Sequence, residues 1–156
     1  MHERSEAKLL IAEAMQTFIV KSSKAYEEVK KPHFYVLNKG MNSGKPLTAF
    51  CPNSFKVEAS NEEVKEILYW VSFALWRAKA FHPYLVVSVI PFIRIGDFSQ
   101  LITEKMEVVK ANPEEFEKAI KKLRFIELKE KQFLENLKLV QELKRAYVHS
   151  YFNKPR

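Results

Sequence analysis

Along residues 5–30, Ile11, Met15, Phe18, Ser22, Tyr26 and Val29 recur every three or four positions with charges between them. That is the period of an amphipathic helix. Lys31-Pro32 closes the stretch, because a residue ahead of proline is pushed out of the α region. Residues 33–38 switch to β-branched and aromatic side chains and predict a strand. Residues 39–46 contain Gly40, Gly44 and Pro46 and predict a turn or flexible loop. Two further extended pieces, 47–51 and 54–58, are placed to form a hairpin with the first strand.

The second half of the chain is dominated by helical periods. Ser60-Asn61-Glu62-Glu63 reads as a capping box, in which the Ser60 hydroxyl accepts from the amide three residues on and Glu63 reaches back. The helix it opens is expected to run to about Phe81. Val64, Ile67, Leu68, Val71 and Leu75 form its apolar stripe, widened by Trp70, Phe73 and Trp76, so it should be buried on most sides. His82-Pro83 ends it. Residues 85–95 predict one or two strands, with Pro91 demanding an edge, a bulge or an end. Asp97 can cap a short helix over 98–110, and Asn112-Pro113 is a strong helix start.

From Pro113 the helical pattern continues almost to the end, with no Gly or Pro between 114 and 154. Leu123, Ile126, Phe133, Leu137, Val140, Tyr147 and Tyr151 share a seam that turns polar at Glu130 and Lys144. Such a helix spans about 60 Å at 1.5 Å per residue, longer than a domain of this size is wide. Part of the seam must therefore meet helix 5–30 of the same chain or a second chain. The expected architecture is α+β: a 1–111 domain with a small antiparallel or mixed sheet and packed helices, then a 112–156 helical arm.

Composition narrows the classes. The chain has 156 residues, 47% hydrophobic and 29% charged, which suits one folded domain rather than a disordered chain. Its densest apolar run, 67–76, is only ten residues long, against about 20 for a bilayer span. Glu3, Glu6 and Glu13 interrupt the apolar residues of the N-terminus, so no secretory leader is expected. The lone cysteine, Cys51, excludes an internal disulfide and suits a reducing cytoplasm. The net charge of +7 divides unevenly: +3 in residues 31–60 and +4 in residues 101–156, with the rest balanced. That surplus favours an acidic partner such as DNA.

Motifs with catalytic chemistry are poor. Gly40 to Pro46 outlines a phosphate loop, but with three residues between the glycines and Pro46 where Ser or Thr should hold magnesium. A tight turn is the simpler reading, with Lys39 and Lys45 able to touch a phosphate backbone. Cys51-Pro52-Asn53-Ser54 lacks the second thiol of a redox motif. His2, His33, His82 and His149 stand far apart, without metal-ligand spacing. Neither enzyme activity nor a cofactor is expected. Tyr147, Tyr151 and Phe152 among Lys144, Arg145, Lys154 and Arg156 could stack on and pair with nucleic acid, or simply end a helix.

The order of residues 66–75, then Phe81-His82-Pro83-Tyr84-Leu85, then 88–98 with Ile90-Pro91 and Asp97-Phe98, resembles the end of a target-recognition domain. The family is the specificity subunit of type I restriction-modification systems. The Lys-, Glu- and Leu-rich stretches 126–134 and 143–152 resemble its spacer helix. The likeness covers 60–152 and includes one half of a unit that is usually tandem. The whole chain, with its residues 39–46 and 51–55, also resembles an uncharacterised bacterial family found on mobile elements. The first resemblance implies a non-catalytic module that binds DNA or a restriction complex. Lys39, Lys45 and Lys56 would touch DNA, joined by Lys121, Lys122 and Arg124 if they share a positive face, and 113–151 would dock other subunits. The alternative is a protein-interaction or assembly module, or an inhibitor, that buries the seam from Leu123 to Tyr151 against a partner or a second copy. No membrane partner is expected.

Overall fold

The computed structural model describes residues 18–25 and 28–153. The architecture is α+β. Four strands, β1 (Ile19–Ser22), β2 (His33–Leu37), β3 (Pro46–Leu47) and β4 (Ser54–Glu58), form one sheet in the order β1-β4-β2-β3 with every pair antiparallel. Among the described residues the helices are α1 (Glu62–Arg77), α2 (Ile95–Ala111) and α3 (Pro113–Phe152), with a short 3-10 turn at His82–Tyr84. No helix among the described residues is long and apolar enough to cross a membrane. The chain divides into two compact units, up to Glu114 and from Glu115.

β1 overturns part of the first expectation. Residues 18–25 and 28–30 lie inside the predicted helix 5–30, yet none is helical. The remainder of that prediction falls outside the described residues. Ile19-Val20 is β-branched, and β4 offers an open ladder to it, pairing Val20 with Val57 and Ser22 with Phe55. Ladder hydrogen bonds outweigh a weak local helical period.

The sheet follows the period of two. Phe34 and Val36 of β2 and Phe55 and Val57 of β4 share one face and are buried. α1 packs against β2 and β3, and α2 against β1 and α1. Val64, Leu68 and Val71 of α1 and Phe98, Leu101, Ile102 and Met106 of α2 complete this core. Phe98 joins its parts, lying 5.4 Å from Phe81 and 6.2 Å from Phe55 between ring centroids.

Several boundaries differ from those predicted. Asn61, not Ser60, caps α1: its Oδ1 accepts from the Val64 amide at 2.8 Å, and Glu62 and Glu63 fill the first turn. α1 stops at Arg77 rather than Phe81 because Lys79 turns left-handed, with φ 55°. The Ala80 amide then donates to Leu75 O and the Lys79 amide to Trp76 O, both at 2.9 Å. This is a Schellman closure, usually made with glycine at that place. Of the expected 47–51 extension only Leu47 pairs, as the second residue of β3. Residues 85–95 form no strand beyond isolated bridges of Phe92 with Val86 and Lys39. Ser88 Oγ bonds both the N–H and the C=O of Ile90, supplying local partners in place of a ladder. α2 starts at Ile95 without a side-chain cap, and Asp97 lies in its first turn, where a carboxylate favours the helix dipole.

The 39–46 turn is anchored by contact. Gly40 and Gly44 both have positive φ, 86° and 93°. A side chain at Gly40 would meet nothing, whereas a Cβ at Gly44 would overlap the buried Phe81 ring. Gly40→Ala should therefore cost only the backbone term, ~1–2 kcal/mol. Gly44→Ala adds an overpacking term of ~1–3 kcal/mol, and urea unfolding should rank the two variants in that order.

Candidate interaction surfaces

The arm helix carries the largest exposed apolar surface of the described residues. From Phe125 to Phe152, thirteen large apolar side chains are exposed. In heptad register, Leu123, Leu137 and Tyr151 share a phase with Glu130 and Lys144, and Ile126, Phe133, Val140 and Tyr147 occupy the other core phase. Leu123 is half-buried; the other six apolar seam residues are exposed, Phe133 at 70% and Leu137 at 55%. Leu134 and Val148 widen the seam, and Phe125, Leu128, Leu139 and Leu143 form a shorter stripe away from it. Lys121, Lys122 and Arg124 are exposed on the same helix, and Lys121 Nζ lies 2.8 Å from Glu117 Oε1.

The three lysines expected to meet DNA from the first unit separate into different environments. Lys39 is exposed and bridges Phe92 through its backbone. Lys45 Nζ sits 5.0 Å from the centre of the Trp76 ring. Lys56 is withdrawn from any such role. Its side chain is 3% exposed, and its Nζ lies 2.9 Å from Glu58 Oε1, so its charge is neutralised inside the fold. The alternation of β4 puts Lys56 and Glu58 on the sheet face opposite Phe55 and Val57, and that face is buried too.

Beside Lys45 a cleft opens that was not legible as a site in the sequence. Met41 and Asn42 of the glycine turn, Trp76 and Arg77 of the last turn of α1, Lys79 of its closure and His82 line about 340 Å³. The Arg77 guanidinium lies 4.9 Å from the Trp76 ring centre and 5.5 Å from that of Phe73. The Gly44–Phe81 contact holds the turn against the helix end. The only sequence sign was Arg77 and Lys79 near a helix C-terminus, where cations commonly suit the dipole. Nothing linear joins them to residues 41–45. Among the described residues, no three His, Cys, Asp or Glu side chains gather as a metal site.

A model described as a family of unknown function (DUF6943) matches residues 20–150. The chain belongs to that family. No curated protein and no solved structure matches it. The DUF6943 match begins within β1 and ends just short of the end of α3, so it spans the sheet, the cleft residues and most of the arm helix. The description carries no activity and no link to a specificity subunit.

In this DUF6943 member the buried carboxylate gives a pH signature. The hydrogen bond from Lys56 holds the Glu58 pKa below the usual glutamate value; burial opposes it, and Lys21 Nζ, at 3.1 Å, adds a second favourable contact. A depressed folded pKa contributes stability above the unfolded value, ~4.3, and loses it as pH falls through the folded one. Glu58→Gln should be less stable than the parent at neutral pH. The gap between their urea midpoints should shrink as pH falls below that range.

Proposed function

We propose that this chain is a non-catalytic assembly module of the cytoplasm whose arm helix pairs antiparallel with that of a second copy. The observation that supports this reading is the exposed seam together with the sign of its two interruptions. Glu130 and Lys144 occupy the same heptad phase, each seven residues from Leu137. In a parallel pair, Glu130 would face Glu130 and Lys144 would face Lys144, burying like charges. An antiparallel pair centred near Leu137 sets Glu130 beside Lys144 of the other copy, twice over. The same two residues that break the seam then select its orientation. Leu134 and Val148 broaden the buried strip beyond a minimal seam.

A second reading, the DNA- or restriction-complex-binding module implied by the specificity-subunit resemblance, gives the helix to a different partner. Lys39, Lys45, Lys121, Lys122 and Arg124 keep that reading open, and the buried Lys56 weakens it.

Sedimentation and light scattering of the full chain distinguish these outcomes. The parent should be dimeric. Leu137→Asp should raise the dissociation constant by at least ~30-fold, the scale of a central hot spot, with the circular dichroism of the folded unit retained. Glu130→Lys and Lys144→Glu should each weaken the dimer, and the double exchange should restore it. A parent that remains monomeric at high concentration removes the self-association reading. A dimer indifferent to these exchanges removes its antiparallel form.

A further inference from the structure

Residues 83–93 carry no charge, and the middle of the run stands in solvent. Val87 is 94% exposed and Val89 103%, with Ile90 at 57%. The base of the segment is nevertheless held. Val86 and Phe92 exchange both backbone hydrogen bonds, at 2.8 and 3.4 Å. The Gly40 amide donates to Pro91 O at 2.7 Å and the Ile93 amide to Asn38 O at 3.0 Å. Phe92 thus has Lys39 as its partner on one side and Val86 on the other, which leaves residues 86–89 on the outside.

The main chain there is open as well. Among the described residues, the N–H and C=O groups of Val87, Ser88 and Val89 have no partner in the protein. Ser88 Oγ occupies both main-chain groups of Ile90, so the open set stops at Val89. An outer edge with open donors and acceptors is a template for another strand.

Charge and solvation decide what kind of occupant fits. Lys39 lies across from Phe92 and Arg94 follows the uncharged run; neither pairs with a carboxylate among the described residues. The chain has no Asp or Glu between Glu28 and Glu58 or between Glu66 and Asp97. A second copy of the segment would bring the same cations, so like charges oppose self-pairing. A lipid surface would take the apolar side chains but offers no partner to open backbone groups.

We propose that residues 87–89 receive an extended segment of a partner protein as an added strand, apolar at its centre and acidic at its ends. Its main chain pairs with the open groups of Val87 and Val89, and its apolar residues cover their side chains. Its carboxylates meet Lys39 and Arg94. The site is independent of helix pairing, since all its residues belong to the first unit.

The probe is a short peptide alternating Val and Thr, with Glu at both ends, titrated into the full chain. In proton–nitrogen correlation spectra the Val87 and Val89 amides should shift saturably, and their exchange with solvent should slow as they gain partners. The same peptide with Lys at its ends should bind at least about tenfold more weakly. A version N-methylated at alternate residues should leave the exchange fast. Val87→Asp and Val89→Asp change side chains that are almost wholly in solvent, so each should melt as the parent does. Each should weaken peptide binding by at least about tenfold, the scale of one interface anchor. Leu137→Asp should bind the peptide as the parent does, which separates this site from the helix seam. The proposal is overturned if the Glu-ended peptide leaves both amides unchanged, or if the Lys-ended peptide binds equally well. It is also overturned if phosphatidylserine vesicles shift these amides and the peptide does not, which makes the tip a lipid contact. Loosening of the dimer by Val87→Asp overturns it too, by giving the segment to a second copy.

Discussion

β4 goes under at every residue, and the rest of the first unit is arranged around that burial. Its two faces solve different problems. Phe55 and Val57 pack into the apolar core with α1 and α2. Ser54, Lys56 and Glu58 face the other way and are buried nevertheless. A charge in such a place is tolerated only when paired, because desolvation otherwise drives it to neutrality. Glu58 therefore has a fixed task, accepting from Lys56 and Lys21 together. Lys21 comes from β1, so the ion cluster also fastens the outer strand to the centre of the sheet. The Ser23 hydroxyl, 2.7 Å from Ser54 O, repeats the tie at the other end of the same strand pair.

A second constraint links the sheet to the helix end. The turn between β2 and β3 comes so close to Phe81 that only glycine fits at position 44. Phe81 in turn stacks on Phe98 of α2. One contact thus fixes the turn, the closure of α1 and the start of the core at once. The cationic cleft is a by-product of this contact: it brings residues 41–45 to residues 76–82, segments joined by no motif.

The arm helix obeys different rules. It is long, continuous and largely exposed, with its apolar residues spread through heptads instead of gathered into a core. Such a surface is of the kind that gains free energy when it is covered. The polar interruptions at Glu130 and Lys144 lower the cost of exposure and at the same time restrict which covering is favourable.

Much of this was legible along the chain, for physical reasons that differ by element. α3 could be read because forty residues without Gly or Pro, opened by Asn112-Pro113, leave no competing conformation. β2 and β4 could be read because short β-branched and aromatic runs bounded by Gly, Pro and Asn have few alternatives. β1 could not, since its helical period was real and only the ladder offered by β4 decided against it. Nor could residues 85–94, whose apolar run is left without a strand and with Val87 and Val89 exposed. The fate of Lys56 was equally hidden. Alternation assigns it a face, but whether that face is wet depends on what lies over it. Sequence by itself therefore determined the fold class, the arm helix and its heptad seam, because these rest on local periods. Tertiary structure alone decided which cations are buried, which converge beside Trp76 and where the first strand lies, because those outcomes depend on contacts between residues far apart in the chain.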